Sequence, residues 1–123
     1  MTWIAVALGG ALGSMARHLV NMELAHRLER SVPHATFVVN VVGCFIIGAL
    51  SGWIASGKLT MTPTMRTFVF VGVLGGFTTF SALATDTFTM LRDNQPILAA
   101  VNSGGQLIVG IVALWTGYFV AAL

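Results

Sequence analysis

The chain has 123 residues, 56% of them hydrophobic and only 8% charged, and its mean hydropathy is +0.88. A soluble domain carries roughly a quarter charged residues, so this composition excludes one and indicates an integral membrane protein. Six Lys and Arg stand against four Asp and Glu; they are scattered, which leaves no polybasic patch for nucleic acid.

Four apolar windows follow one another, each close to the ~20 residues that cross a hydrocarbon core. The first runs from Thr2 to Ala16, or to Met22 if Arg17 is accommodated, and predicts a span over about residues 3–22. Nothing basic precedes Trp3, and the first Arg lies at the far end of the run. That is the reverse of a secretory leader, so the window reads as a retained span. The following stretch, MELAHRLERSVPHA, predicts a short amphipathic helical turn ending before Pro33. His18, His26 and His34 lie in or near it without a metal or nucleophile constellation, which makes an enzyme the least favoured class.

The second span is predicted over about residues 35–57. Asn40, Gly43, Cys44, Ile47, Gly48 and Ser51 recur at three- and four-residue spacing and form one small, polar stripe. Cys44 is the only cysteine, which excludes an intramolecular disulfide or a cysteine-based zinc site.

The third span, about 65–90, is uncharged from Thr67 to Thr85 but contains GGFTTFSALATD. Two glycines and two β-branched threonines make a helix easy to interrupt. An interruption in lipid frees carbonyls that can hold a small hard cation such as Na+. Beyond it, Ser81 and Thr85 lie one turn apart as a polar strip, and Phe80 offers the partly positive edge of its ring to an anion. Asp86 is either an end residue or a buried acceptor.

Pro96 opens the fourth span, about 96–122, where Asn102, Gly105, Gln106, Gly110, Ala113 and Gly117 form a second small and polar stripe. Glycines four residues apart in Gly9/Gly13, Gly48/Gly52 and Gly72/Gly76 predict close helix crossings. Asn102 and Gln106 are read equally as interhelical hydrogen bonds or as functional groups, whereas Asn40, remote from other strong donors, favours a functional amide. Arg17 has two even readings: snorkelling to the headgroups, or a fixed positive charge at the mouth of an anion path.

The expected fold is therefore an all-α membrane protein, residues 1–123 forming one four-helix unit with the third helix broken mid-membrane. So few helices leave little room for water inside one subunit, so any route is expected between subunits. Arg27, Arg30 and Arg92 face Lys58 and Arg66 across the membrane, a weak bias for orientation. The chain is accordingly expected either to lack a strong topology signal or to insert both ways and pair antiparallel.

GGALGSMAR (Gly9–Arg17), TFVVNVVGCFIIG (Thr36–Gly48) and GVLGGFTTFS (Gly72–Ser81), in that order, resemble the Fluc/CrcB family of small bacterial fluoride channels. The resemblance covers essentially the whole chain. It implies an antiparallel dual-topology dimer in the bacterial cytoplasmic (inner) membrane, passing fluoride passively out of the cell along two routes at the subunit interface. It implies a structural Na+ at the dimer centre, held by the carbonyls of Gly75 and Thr78 from each subunit. Asn40 matches the family's pore asparagine, Phe80 the first of two pore phenylalanines, Ser81 the start of the polar track, and Arg17 a vestibule arginine; Thr79 is expected beside them on the fluoride pathway.

Leu83 stands where the resemblance places the second phenylalanine, Ala82 where it places a hydroxyl, and Asp86 where it places Glu. Gln106 and Thr116 are the candidates for the fourth-helix track. Some members pair unlike subunits, so a heterodimer is an alternative to the homodimer. A small multidrug-resistance-type cation/proton antiporter is the rival of similar size, but it needs a carboxylate in the first span, and the first acid here is Glu23. A non-transporting subunit of a larger membrane complex is the third reading.

Overall fold

The structure is a computed structural model, which describes residues 1–28 and 33–123. Four segments are long and apolar enough to cross a membrane: Thr2–Arg27, His34–Ala55, Pro63–Arg92 and Pro96–Ala122. The first two are single helices, α1 (Thr2–Arg27) and α2 (His34–Ala55), and the last is α6 (Pro96–Ala122). The third is a composite. It begins as α3 (Pro63–Arg66), widens into a π-helix over Thr67–Leu74, tightens again as α4 (Gly75–Phe77), stops, and resumes as α5 (Phe80–Arg92).

Local chemistry sets the ends. Pro63 and Pro96 each open a helix, where the missing N–H has no intrahelical use. Thr62 caps the first of these, its hydroxyl accepting from the Met65 N–H at 3.2 Å. After α2 the chain reverses through Gly57 at φ +74, a left-handed conformation that costs glycine nothing. The amphipathic turn expected after the first span is, as far as Arg27, a continuation of α1 carrying an exposed Glu23–Arg27 pair. Glu29–Val32, with Arg30 among them, lie outside the described residues.

The helices pack as two pairs, α2 on α6 and α1 on the first half of the third span. Both seams depend on the absence of side chains. A Cβ added at Gly48 or Gly52 would enter the carbonyl of Leu114 or Tyr118, and one at Gly117 that of Phe45. On the other seam Gly9 abuts the Phe68 carbonyl, Gly13 that of Val73, and Gly76 that of Gly10. All three expected glycine pairs therefore lie at helix crossings, where close backbone approach supplies dispersion contact that lipid cannot. Facing outward are Trp3, Leu8, Leu12, Ile108, Val112, Trp115 and Phe119, a surface suited to hydrocarbon.

Candidate functional site

The interruption of the third span falls at Thr78 (φ −84, ψ 160) and Thr79 (φ −154, ψ 117), both extended. The glycines just before it stay helical, and Gly76 sits at the crossing with α1, where a Cβ would lie 2.7 Å from the Gly10 carbonyl. The threonines divide the work of the break. Thr78 closes α4: its N–H and its hydroxyl both donate to the Leu74 carbonyl, at 3.0 and 2.9 Å. Thr79 opens α5, its hydroxyl oxygen accepting from the Ala82 N–H at 3.2 Å.

Buried peptide groups that lose helical partners need new ones, and two neighbouring helices supply them. Extension at Thr79 turns its N–H and C=O to the same side, and the Asn40 carboxamide matches both. The Thr79 N–H donates to Asn40 Oδ1 at 2.8 Å, and Asn40 Nδ2 donates to the Thr79 carbonyl at 3.1 Å. From α1, Arg17 Nη1 donates to the Thr78 carbonyl at 3.3 Å. Asn40 Nδ2 also donates to Gln106 Oε1 at 2.9 Å, and Gln106 Nε2 to Asn102 Oδ1 at 3.0 Å.

Two open grooves flank the break. One, of about 300 Å³, runs between α2, α5 and α6; Asn40, Thr78, Thr79, Phe80, Leu83 and Gln106 are among the residues that line it. The other, of about 440 Å³, lies on the α1 side among Arg17, Asn21, Thr36, Thr79, Ser81 and Asp86. The residues expected along the fluoride pathway are thus divided between two grooves, and Thr79 belongs to both, while Gly75 lines neither. Phe80 is 80% exposed. Thr116 lines neither groove; its hydroxyl turns back onto the Val112 carbonyl at 2.8 Å. Asn21 and Thr36 were not singled out from the sequence, although Asn21 lies one helical turn beyond Arg17 and shares its face. Asp86 Oδ2 is buried without a hydrogen-bond partner among the described residues, and Asp86 makes no ion pair with Arg17.

The break also bears on a cation. In a continuous helix the Thr79 N–H would bond to the Gly75 carbonyl, and the Ala82 N–H to that of Thr78. Here both donors are diverted, to Asn40 and to the Thr79 hydroxyl. Neutral carbonyl oxygens of this kind suit Na+. The Thr78 oxygen already accepts from Arg17, leaving one lone pair, and Gly75 is exposed on the surface of the single chain. The donor chemistry fits Na+, which Gly75 and Thr78 would hold. Two oxygens do not complete a coordination shell, so a second copy would have to add its own. No cluster of three or more His, Cys, Asp or Glu that could hold a metal occurs among the described residues.

Residues 4–118 match the family of CrcB-like proteins, also described as Camphor Resistance (CrcB). The chain belongs to the CrcB family. Among its relatives in that family is a protein from Methylobacillus flagellatus, 43% identical over 114 residues, covering 92% of this chain and 88% of the relative. Others come from Opitutus terrae, 42% identical over 97% of this chain and 91% of the relative, and from Caulobacter vibrioides, 41% identical over 94% and 91%. Each of these CrcB-family relatives bears the name fluoride-specific ion channel.

Proposed function

We propose that this chain is a fluoride-selective channel subunit that lets cytoplasmic fluoride leave a bacterial cell passively through the inner membrane. The observation that carries it is the splinted break at Thr78–Thr79 with a groove on each side, in a chain whose relatives are named fluoride channels.

Fluoride is small and strongly hydrated, so a route through lipid must replace its water with close donors. Thr79 and Ser81 hydroxyls stand 3.3 Å apart. One hydrogen bridges the pair and the other is free for an anion. Arg17, in the groove on the α1 side, raises the local anion concentration. Phe80 presents a ring edge, and Asn40 holds the wall where the two grooves meet. Leu83 gives the groove between α2, α5 and α6 an aliphatic wall without the partly positive edge that an aromatic would present there.

A single chain leaves Phe80 and Gly75 on its surface, which supports completion of both the route and the proposed Na+ site by a second copy. We take that copy to be identical and antiparallel, with lipid around the pair; a heterodimer is the alternative. Na+, when bound, supplies a fixed positive charge that ties the carbonyls of Gly75 and Thr78 across the dimer centre. The antiporter alternative is not favoured, because α1 carries no acid before Glu23.

Purified protein reconstituted into liposomes loaded with fluoride tests the proposal, with a fluoride electrode outside. Rapid fluoride efflux under a potassium/valinomycin shunt, with chloride retained, is the expected result; a chain that releases neither ion, or both equally, refutes it. Cysteines placed in the loops and labelled from each membrane face test the antiparallel pairing, and one-sided labelling rules it out.

A further inference from the structure

We infer that Gln106 and Asn102 are positioning residues for the break. With Asn40 they form one oriented hydrogen-bond relay that leaves the third span at the Thr79 N–H and returns to it at the Leu83 carbonyl. The inference rests on the reading of Asn40 and Thr79 as walls of the fluoride route.

The links run in one direction. The Thr79 N–H donates to Asn40 Oδ1 at 2.8 Å, Asn40 Nδ2 to Gln106 Oε1 at 2.9 Å, and Gln106 Nε2 to Asn102 Oδ1 at 3.0 Å. Asn102 Nδ2 then lies 3.5 Å from the Thr87 hydroxyl, the longest step, and that hydroxyl donates to the Leu83 carbonyl at 2.8 Å. A backbone N–H can only donate and a backbone carbonyl can only accept, so the two ends dictate how every carboxamide between them is turned. Rotating Gln106 by half a turn would set its Nε2 against Asn40 Nδ2, donor against donor. Rotating Asn40 would surrender the Thr79 N–H.

Burial gives the relay its force. Gln106 is 4% exposed and is the one buried polar side chain among the described residues. Its burial limits the water that could replace its two links, although the groove beside Asn40 is open, and bonds aligned head to tail strengthen one another. Both amide hydrogens of Asn40 are spent, on the Thr79 carbonyl and on Gln106 Oε1. In this arrangement Asn40 has no donor left for an anion, so its contribution is to hold Thr79 extended. Gln106 decides whether it can.

The test follows exchange of the Thr79 amide proton by NMR in lipid nanodiscs, beside fluoride efflux from liposomes. Gln106→Leu keeps the bulk and removes both links; Thr79 exchange should quicken about tenfold and efflux should fall. Gln106→Glu keeps the acceptor for Asn40, so Thr79 exchange should stay slow whatever the added charge does to efflux. In an Asn40→Ala background Gln106→Leu should add nothing to Thr79 exchange. Unchanged exchange in Gln106→Leu, or equal quickening in Leu and Glu variants, overturns the proposal, and so does full additivity with Asn40→Ala. If Asn40→Ala does not fold, the comparison of Leu with Glu decides alone. The exchange measurement uses no fluoride, so wild-type protein that conducts none would refute the channel reading and leave the relay to be judged separately.

Discussion

Arg17 and Asn40, on different helices, hold opposite ends of one peptide group. Arg17 donates to the Thr78 carbonyl at 3.3 Å and Asn40 accepts from the Thr79 N–H at 2.8 Å, and these two atoms belong to the same peptide plane. The interruption is therefore a built feature, fixed from α1 and α2 at once, and not a slack stretch of helix.

Asn40 is expected to matter for stability as well as transport. Asn40→Ala strips partners from both the N–H and the carbonyl of Thr79, and each unsatisfied buried group costs about 1–3 kcal/mol. Thermal unfolding in detergent, read by tryptophan fluorescence, should shift downward by several degrees. Asn40→Asp keeps an acceptor for the N–H but loses both donated bonds and adds a negative charge to the groove. It should unfold at a temperature between wild type and Asn40→Ala, while fluoride efflux falls below that of either.

Arg17 separates charge from geometry. Arg17→Lys keeps the cation without the planar fork, and Arg17→Gln keeps a donor without the charge. If the charge gathers anions, efflux at low salt should drop several-fold in Arg17→Gln and much less in Arg17→Lys. The dependence of efflux on ionic strength should flatten in Arg17→Gln alone, because screening acts only on the charge. Efflux at a series of sulfate concentrations checks this.

The sequence made the four spans legible because apolar length is the strongest signal a membrane protein carries, and the glycine pairs legible because small residues recur at helical spacing. It also made the interruption of the third helix legible, from Gly75, Gly76, Thr78 and Thr79 together. The π-helix over Thr67–Leu74 was not legible: after Thr67 the segment FVFVGVL carries no polar side chain, and no residue in it distinguishes one helical winding from another. Asn40 was legible as an isolated amide in an apolar span. Its partner could not be read, since the Thr79 backbone is remote in sequence and offers no side-chain signature. Gln106 is legible as a polar group in an apolar span, but its two bonds, to Asn40 and Asn102, join residues remote in sequence or ambiguous on the helix face, and only the fold brings them together.

Glycine substitutions should divide sharply by position. At Gly48 or Gly13 an added Cβ meets the carbonyl of Leu114 or Val73 inside van der Waals contact, and neither backbone can yield without moving a helix. Gly48→Ala and Gly13→Ala should each cost about 1–3 kcal/mol or more and reduce the monodisperse yield on size-exclusion chromatography. Gly104 has nothing within 4 Å of an added Cβ. Gly104→Ala should be neutral or slightly stabilising, since alanine loses less backbone freedom in a helix.

Leu83 faces the same groove as Asn40 and Phe80, and its aliphatic side chain offers an anion nothing. A ring there would add a second partly positive edge beside that of Phe80. Leu83→Phe should therefore raise fluoride efflux several-fold without loosening chloride retention, whereas Phe80→Ile should nearly abolish efflux. The two changes act on one wall, so Leu83→Phe should restore part of the efflux in the Phe80→Ile protein. Absence of any rescue, with both proteins monodisperse, would place Leu83 away from the route and leave Phe80 as the single aromatic station. Initial efflux rates from liposomes at matched protein density distinguish these outcomes.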